Sequence, residues 1–311
     1  MKNIMKMLEK CELCPRRCGV NRLKGQKGFC RVGDKVIVAH CGPHLGEEPP
    51  ISGASGSGTI FFSFCNLRCI FCQNYQISHD GDGEEISLER LTEIFMDLQG
   101  RGCHNINLVS PTPYIPHIAT AIIDAKKRGL NIPVLYNTNA YESVEALKAL
   151  EGLIDIYLPD FKYWSPAVAE KLSGVPKGKS YPDFAKEALL EMKRQVGGLV
   201  VLDGVATRGL LVRNLVLPGG LAGSKEIFQW IGQNLGTDTF ISLMSQYYPV
   251  HMANTVPLLR RKIRQQEYDA IVDYLINEGF KNVFLQETSS APLFVPDFDK
   301  QEPLKYSDEK E

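Results

Sequence analysis

The sequence predicts an α/β chain built on a parallel sheet, doubly wound or barrel-like, preceded by a small cysteine-rich metal-binding module. Three observations predict it. From residue 59 onward, short apolar runs rich in β-formers alternate with longer segments of helical period. The runs are apolar along their length, as strands covered on both faces by connecting helices require. Residues 1–58 lack that rhythm and hold five of the nine cysteines, so they read as a module shaped by metal and a linker loop. At 311 residues, one large barrel-sized domain with an appendage fits the length.

The expected strands lie at 59–64, 105–110, 133–139, 155–162, 210–218, 240–249 and 282–285. Between them, 87–102 sets Leu88, Leu91, Ile94, Phe95 and Leu98 on one helical face, with Ser87 as N-cap and Gly100 or Gly102 as the stop. Segments 114–129, 183–198, 225–236 and 267–280 repeat the pattern. Right-handed crossovers then bring the chemistry to the C-terminal ends of the strands. The domains are expected at 1–58, 59–296 and 297–311, the last a charge-alternating tail expected to be mobile.

A composition of 44% hydrophobic and 23% charged residues excludes a disordered or fibrous chain. No apolar run reaches a membrane span and the N-terminus lacks the apolar core of a secretory signal, which predicts a soluble, cytoplasmic protein with no membrane partner. In a reducing compartment, nine clustered thiols suggest metal or redox work. Charge is uneven: residues 1–35 carry ten Lys/Arg against three acidic residues, a net of +7. With Phe29 as the one aromatic there, nucleic-acid stacking has little support and a solvated face round a metal knuckle is the simpler reading.

Cys65, Cys69 and Cys72 follow the first of these strands with C-x3-C-x2-C spacing. Three thiolates on one loop can hold three irons of a [4Fe–4S] cube and leave the fourth open. The spacing suits a zinc site less well, since those favour paired knuckles and four ligands. With Phe71 before Cys72, the motif resembles that of the radical SAM superfamily, and the chain from roughly residue 10 to 295 resembles relatives of pyruvate formate-lyase activating enzyme. The resemblance implies a partial (β/α)6 TIM barrel. It implies a cluster whose open iron binds S-adenosylmethionine (SAM), electrons from a reduced flavodoxin or ferredoxin, and a 5′-deoxyadenosyl radical that takes hydrogen from a substrate.

It also implies cofactor contacts at strand ends. Ser110-Pro111-Thr112-Pro113 replaces the family's Gly-Gly-Glu-Pro, so Ser110, Thr112 and backbone carbonyls become acceptors for the methionyl amino group. Asn137-Thr138-Asn139 resembles the Thr-Asn-Gly turn. Asp160 and Lys162 match an Asp-Leu-Lys segment near the SAM ribose and carboxylate. Arg213, charged within an apolar strand, needs a polar cavity or a buried partner and reads as a carboxylate contact. Gln246 and Tyr247 are candidates for the adenine or substrate rim.

Cys11, Cys14, Cys18 and Cys30 suffice for a second, four-thiolate metal site, zinc or cluster. Relatives carry this leader but the pyruvate formate-lyase activator itself lacks it. Cys41 and Cys103 read as packed thiols. Glu47 and Glu48, near His44, offer a substrate or metal contact in the linker loop, with a solvated acidic turn as the simpler reading, and His79, His104, His117 and His251 read as isolated histidines. The glycine-rich stretches at 53–58 and 174–180 miss nucleotide-loop spacing or context. The expected function is therefore radical SAM chemistry on an unidentified peptide, protein or small molecule. Alternatives are glycyl radical activation of a partner enzyme, an iron–sulfur electron-transfer protein, or a zinc-dependent nucleic-acid module.

Overall fold

The computed structural model describes residues 4–289, 294–300 and 303. The leader passes through two short helical turns and then enters the main sheet as β1 (Val36–His44). The helix α1 (Pro49–Ser52) leads to β2 (Ser57–Phe62), and after the cysteine loop come β3 (Glu84–Ile86), α2 (Leu88–Gly100), β4 (Ile106–Val109), α3 (Ile115–Lys127) and β5 (Val134–Thr138). Next follow α4 (Val144–Lys148), β6 (Ile156–Pro159), α5 (Pro166–Ser173), α6 (Tyr181–Val196), β7 (Val200–Leu202) and β8 (Val205–Leu215). The chain closes with α7 (Ser224–Asn234), β9 (Phe240–Met244), α8 (Gln265–Asn277) and β10 (Val283–Leu285).

The sheet runs β10-β9-β8-β6-β5-β4-β2-β1-β3, with β7 paired to β8. Seven strands from β2 to β10 are mutually parallel, while β1 pairs antiparallel with β2 and β3, and β7 antiparallel with β8. All seven strands and five helices expected from periodicity are present. The difference lies at the front: β1 extends the barrel sheet, so residues 36–44 are not separate from it. Its sequence, VIVAHCGPH, broken by Gly42 and Pro43, hides a strand that β3 covers only at residues 36–38 and whose burial alternates irregularly.

Local chemistry explains the ends. Ser87 Oγ accepts the Arg90 N–H at 3.0 Å and caps α2, whose buried Leu91, Ile94, Phe95 and Leu98 meet the sheet. Every residue of β2 is buried, as in a strand covered on both sides. Inside the barrel, Ile51 of α1 packs with Leu135, Ile156, Leu158, Ala206 and Leu211, apart from the main core. The register puts Leu135 two residues before Asn137, so α1 plugs the N-terminal end of the barrel and the cavity opens beyond it. Phe298 stacks edge-on against Phe61 at 5.5 Å. Apart from residues 297–300 and 303, the tail expected to be mobile lies outside the described residues. No helix among the described residues is long and apolar enough to cross a membrane.

Candidate active site

A cavity of about 560 Å³ occupies the barrel interior at the strands' C-terminal ends. Of the residues singled out in the sequence, Cys65, Cys69, Cys72, Ser110, Asn137, Asn139, Asp160, Lys162, Arg213, Gln246 and Tyr247 all line it. Thr112 does not, and is buried beneath. The leader cysteines lie outside the cavity as well.

Backbone geometry at the strand ends is costly. Phe64, Ser110 and Ala140 adopt φ of 66°, 58° and 59° although none is glycine. Each such residue costs roughly 1–2 kcal/mol, so three of them round one cavity mark a site where the turn shape is enforced by its surroundings. Phe64 turns the chain from β2 into the cysteine loop. Ser110 N–H then donates to Asn137 O at 3.0 Å, locking the ends of β4 and β5 together.

Each thiol meets polar groups suited to a charged sulfur. Leu67 N–H and Asn139 Nδ2 donate to Cys65 Sγ at 3.4 and 3.3 Å. Cys69 Sγ lies 3.0 Å from Ser173 Oγ, and Cys72 Sγ 3.1 Å from Ser78 Oγ. Burial and the neighbouring Cys69 push Cys65 up to about 11 and Cys72 up to about 12. As bare thiols they are protonated; a cationic iron cluster would hold them as thiolates. Among the described residues no three His, Cys, Asp or Glu side chains converge to share a single metal ion. A cube makes a different demand, one thiolate for each of three separate irons, and a three-cysteine loop on a cavity wall fits it.

Asn139 and Asn66 tie this loop to β5: Asn139 Nδ2 donates to Asn66 Oδ1 at 2.8 Å, and Asn66 Nδ2 to Tyr141 O at 2.7 Å. Tyr181 OH bridges Asn139 O and Asp160 O at 2.9 and 2.8 Å and accepts the Lys162 N–H. Asp160 and Lys162 form an ion pair at 2.6 Å, each side chain 19% exposed, so they belong to the cavity wall and not to the outer surface. Burial pulls Lys162 down most, but Asp160 with the Cys69 and Cys72 sulfurs together outweigh it and the net direction is up.

Two corrections concern charged residues. Glu47 and Glu48 are not a solvated turn: their side chains are 8% and 6% exposed and both bind Arg213. Arg213 does contact carboxylate, but those of its own chain, with Nε and Nη2 donating to Glu48 at 2.7 and 2.6 Å and Nη2 also to Glu47. The isolated histidines include two that meet in space, His79 and His251, with ring centroids 4.7 Å apart. Spacing in the chain gave no sign of either arrangement.

The sequence reading also passed over Glu142. It is fully buried, and its Oε1 accepts from Thr112 Oγ1 at 2.6 Å, Tyr136 OH at 3.3 Å and Thr138 Oγ1. Burial raises its carboxyl to about 7 despite those bonds. Thr112 thus serves as a strut from β4 to the carboxyl that braces β5.

The leader packs against this site. Arg16 Nε donates to Asn66 O at 2.6 Å and Nη2 to Gly174 O at 2.7 Å, while its guanidinium lies 3.3 Å over the Phe29 ring. A Cβ on Gly28 would fall 2.9 Å from Cys18 Sγ, so glycine is required where that loop passes the thiol.

A parallel barrel with a C-x3-C-x2-C loop at the mouth of its cavity defines an iron–sulfur enzyme class. A family profile described as the radical SAM superfamily matches residues 59–205, and the chain belongs to that superfamily, whose members use a [4Fe–4S] cluster and SAM. The uncharacterized protein MJ0674 of Methanocaldococcus jannaschii is 31% identical over 280 residues, 88% of this chain and 75% of that one. MJ0808 from the same organism is 25% identical over 159 residues, 45% of this chain and 46% of that one. Streptococcus suis SuiB bound to S-adenosylmethionine shares the fold at 14% identity and TM-score 0.51, over 73% of this chain and 50% of that chain. SuiB bound to precursor peptide SuiA gives 13% and 0.51, over 75% and 49%. The chain thus spans about half the length of these solved chains.

Proposed function

We propose that this chain cleaves S-adenosylmethionine reductively and turns the resulting radical on a peptide, protein or small-molecule substrate. One observation carries the reading: among the described residues three cysteines, Cys65, Cys69 and Cys72, line the cavity, a set that leaves one iron of a cube without a protein ligand. When bound, such a cluster supplies the electron that breaks the sulfonium C–S bond, giving methionine and a 5′-deoxyadenosyl radical.

The chain's own groups bind and orient. Cys65, Cys69 and Cys72 hold the irons, and the donors from Leu67, Asn139, Ser173 and Ser78 stabilise charge on their sulfurs. Lys162 presents an ammonium to the SAM carboxylate and Asp160 an acceptor to the ribose hydroxyls. Ser110 and Asn137 accept from the methionyl amino group, and Gln246, bonded to Gln73 and Gln286, edges the adenine. Apolar walls from Phe61, Phe71 and Met244 exclude water from the radical. A flavodoxin- or ferredoxin-type protein is the electron donor. Cys11, Cys14, Cys18 and Cys30, which do not converge on one ion as they stand, would draw together round a second metal, zinc or cluster, beside the cysteine loop that Arg16 fastens. Hydrogen abstraction from a partner's backbone glycine is the narrower form of the same reaction.

Anaerobic reconstitution with iron and sulfide, then reduction with SAM present, tests this. Wild type should release 5′-deoxyadenosine and Cys69→Ala should not. Equal release by both, or none from wild type, would sink the proposal.

A further inference from the structure

The cavity carries an unbalanced charge. Among the described residues five Asp, Glu, Lys or Arg side chains line it: Glu47, Glu48, Asp160, Lys162 and Arg213. Asp160 and Lys162 match one to one at 2.6 Å. Glu47 and Glu48 share a single guanidinium, with Arg213 only 12% exposed, so one carboxylate is held out of water with no Lys or Arg of its own. His44 lies near Glu47, but burial lowers its pKa below 6.5 against the pull of that carboxylate, so it does not supply the missing cation at neutral pH. The SAM reaction does not supply it either. A cluster with three thiolates carries one net negative charge in its oxidised state, and SAM whose amino nitrogen is unprotonated to bind iron is neutral, its sulfonium offset by its carboxylate, so neither brings a spare cation.

A second, independent group looks for a donor at the same place. Asn107 on β4 is fully buried and gives Nδ2 to Glu47 Oε1 at 2.8 Å, while its Oδ1 has no hydrogen-bond partner among the described residues. An orphaned acceptor beside a surplus carboxylate is expensive unless a donor arrives. Glu47 and Glu48 line the cavity, turned toward the barrel interior by the segment before α1, and Asn107 stands behind Glu47 in the register row of Leu135, beside the Ile51 plug.

The geometry points to a cation-binding floor: Glu47, Glu48 and Asn107 receive an alkylammonium or guanidinium group of the substrate. That this cation belongs to a substrate rests on the proposed reaction; that the floor prefers a cation rests on the charge balance. The surplus then acts as a selectivity device, since a neutral group reaching the same depth leaves the carboxylate uncompensated.

Methylguanidinium and its neutral isostere methylurea test it on the cluster-loaded protein, with binding followed by saturation transfer to the methyl protons. Wild type should bind methylguanidinium at least tenfold more tightly than methylurea. Glu47→Gln leaves Glu48 and Arg213 matched one to one, so it should fold, melt at or above wild type and bind the two ligands alike. Should that variant fail to fold, Glu48→Gln makes the same comparison. Equal affinities in wild type, or an undiminished preference in the folded variant, overturn the inference. SAM cleavage is scored separately: cleavage without cation preference removes the floor and keeps the reaction, while preference without cleavage does the reverse.

Discussion

Glu142 gives the sharpest test of the buried framework. Its carboxyl ordinarily titrates at 4.5 and is raised to about 7 by burial, with three hydroxyl donors only partly opposing. The sign follows from linkage. Below the unfolded value both states hold the proton and the site costs nothing. As pH rises past 4.5 the unfolded chain releases its proton while the folded one keeps it, so stability falls until about 7 and is level above. The fall is on the order of 3 kcal/mol, at 1.36 kcal/mol per pKa unit. Glu142→Gln keeps an acceptor for Thr112, Tyr136 and Thr138 and does not titrate. The difference in melting temperature between variant and wild type therefore isolates the carboxyl. Between pH 5 and pH 8, a window that holds about 2.5 kcal/mol of that fall, wild type should lose about 5 °C relative to Glu142→Gln, taking roughly 2 °C per kcal/mol for a chain of this size. Parallel melting curves across that range would refute the claim that this carboxyl is held protonated.

Arg213→Met should cost about 3–5 kcal/mol by urea unfolding, because it strands two buried carboxylates, whereas Glu47→Gln should cost nothing; equal losses would contradict the clamp. Asn139→Ala removes a donor to Cys65 Sγ and should lower the potential of the reconstituted cluster by about 40 mV, the one-electron equivalent of a hydrogen bond of about 1 kcal/mol. A redox titration followed by electron paramagnetic resonance reads it, and an unmoved midpoint counts against the contact. Ser87→Ala deletes the α2 cap and should lower the melting temperature by about 2 °C with SAM affinity unchanged, as isothermal titration would show.

The barrel was legible because its strands are covered on both faces: β2, β5 and β6 are buried at every position and appear as apolar runs whatever their neighbours. The cysteine loop was legible because its ligands lie within eight residues, 65–72, of one another. The acidic floor was not. Glu47, Glu48, Asn107 and Arg213 are far apart in the chain and each is ordinary in its own segment; the meaning of GEEPP depends on a guanidinium on β8. Glu142 was hidden likewise, since AYES reads as a loop until Thr112 and Tyr136 surround its carboxyl. β1 escaped because Gly42 and Pro43 interrupt it, in the stretch past Val38 that pairs with β2 but not with β3.

The clamp between Glu47 and Arg213 spans 166 positions of chain. Closing a loop of that length costs roughly 4–5 kcal/mol of chain entropy before any contact rewards it. On the ribosome, β1, the plug helix and the cysteine loop emerge long before the strand that carries Arg213, and Arg16 waits longer still for Gly174 than for Asn66. Until β8 arrives, two carboxylates bound for the interior are best left in water, so the N-terminal third has reason to stay open. The ion pair therefore belongs to the long-range contacts of the fold, slower to form than the local β–α units of the N-terminal third.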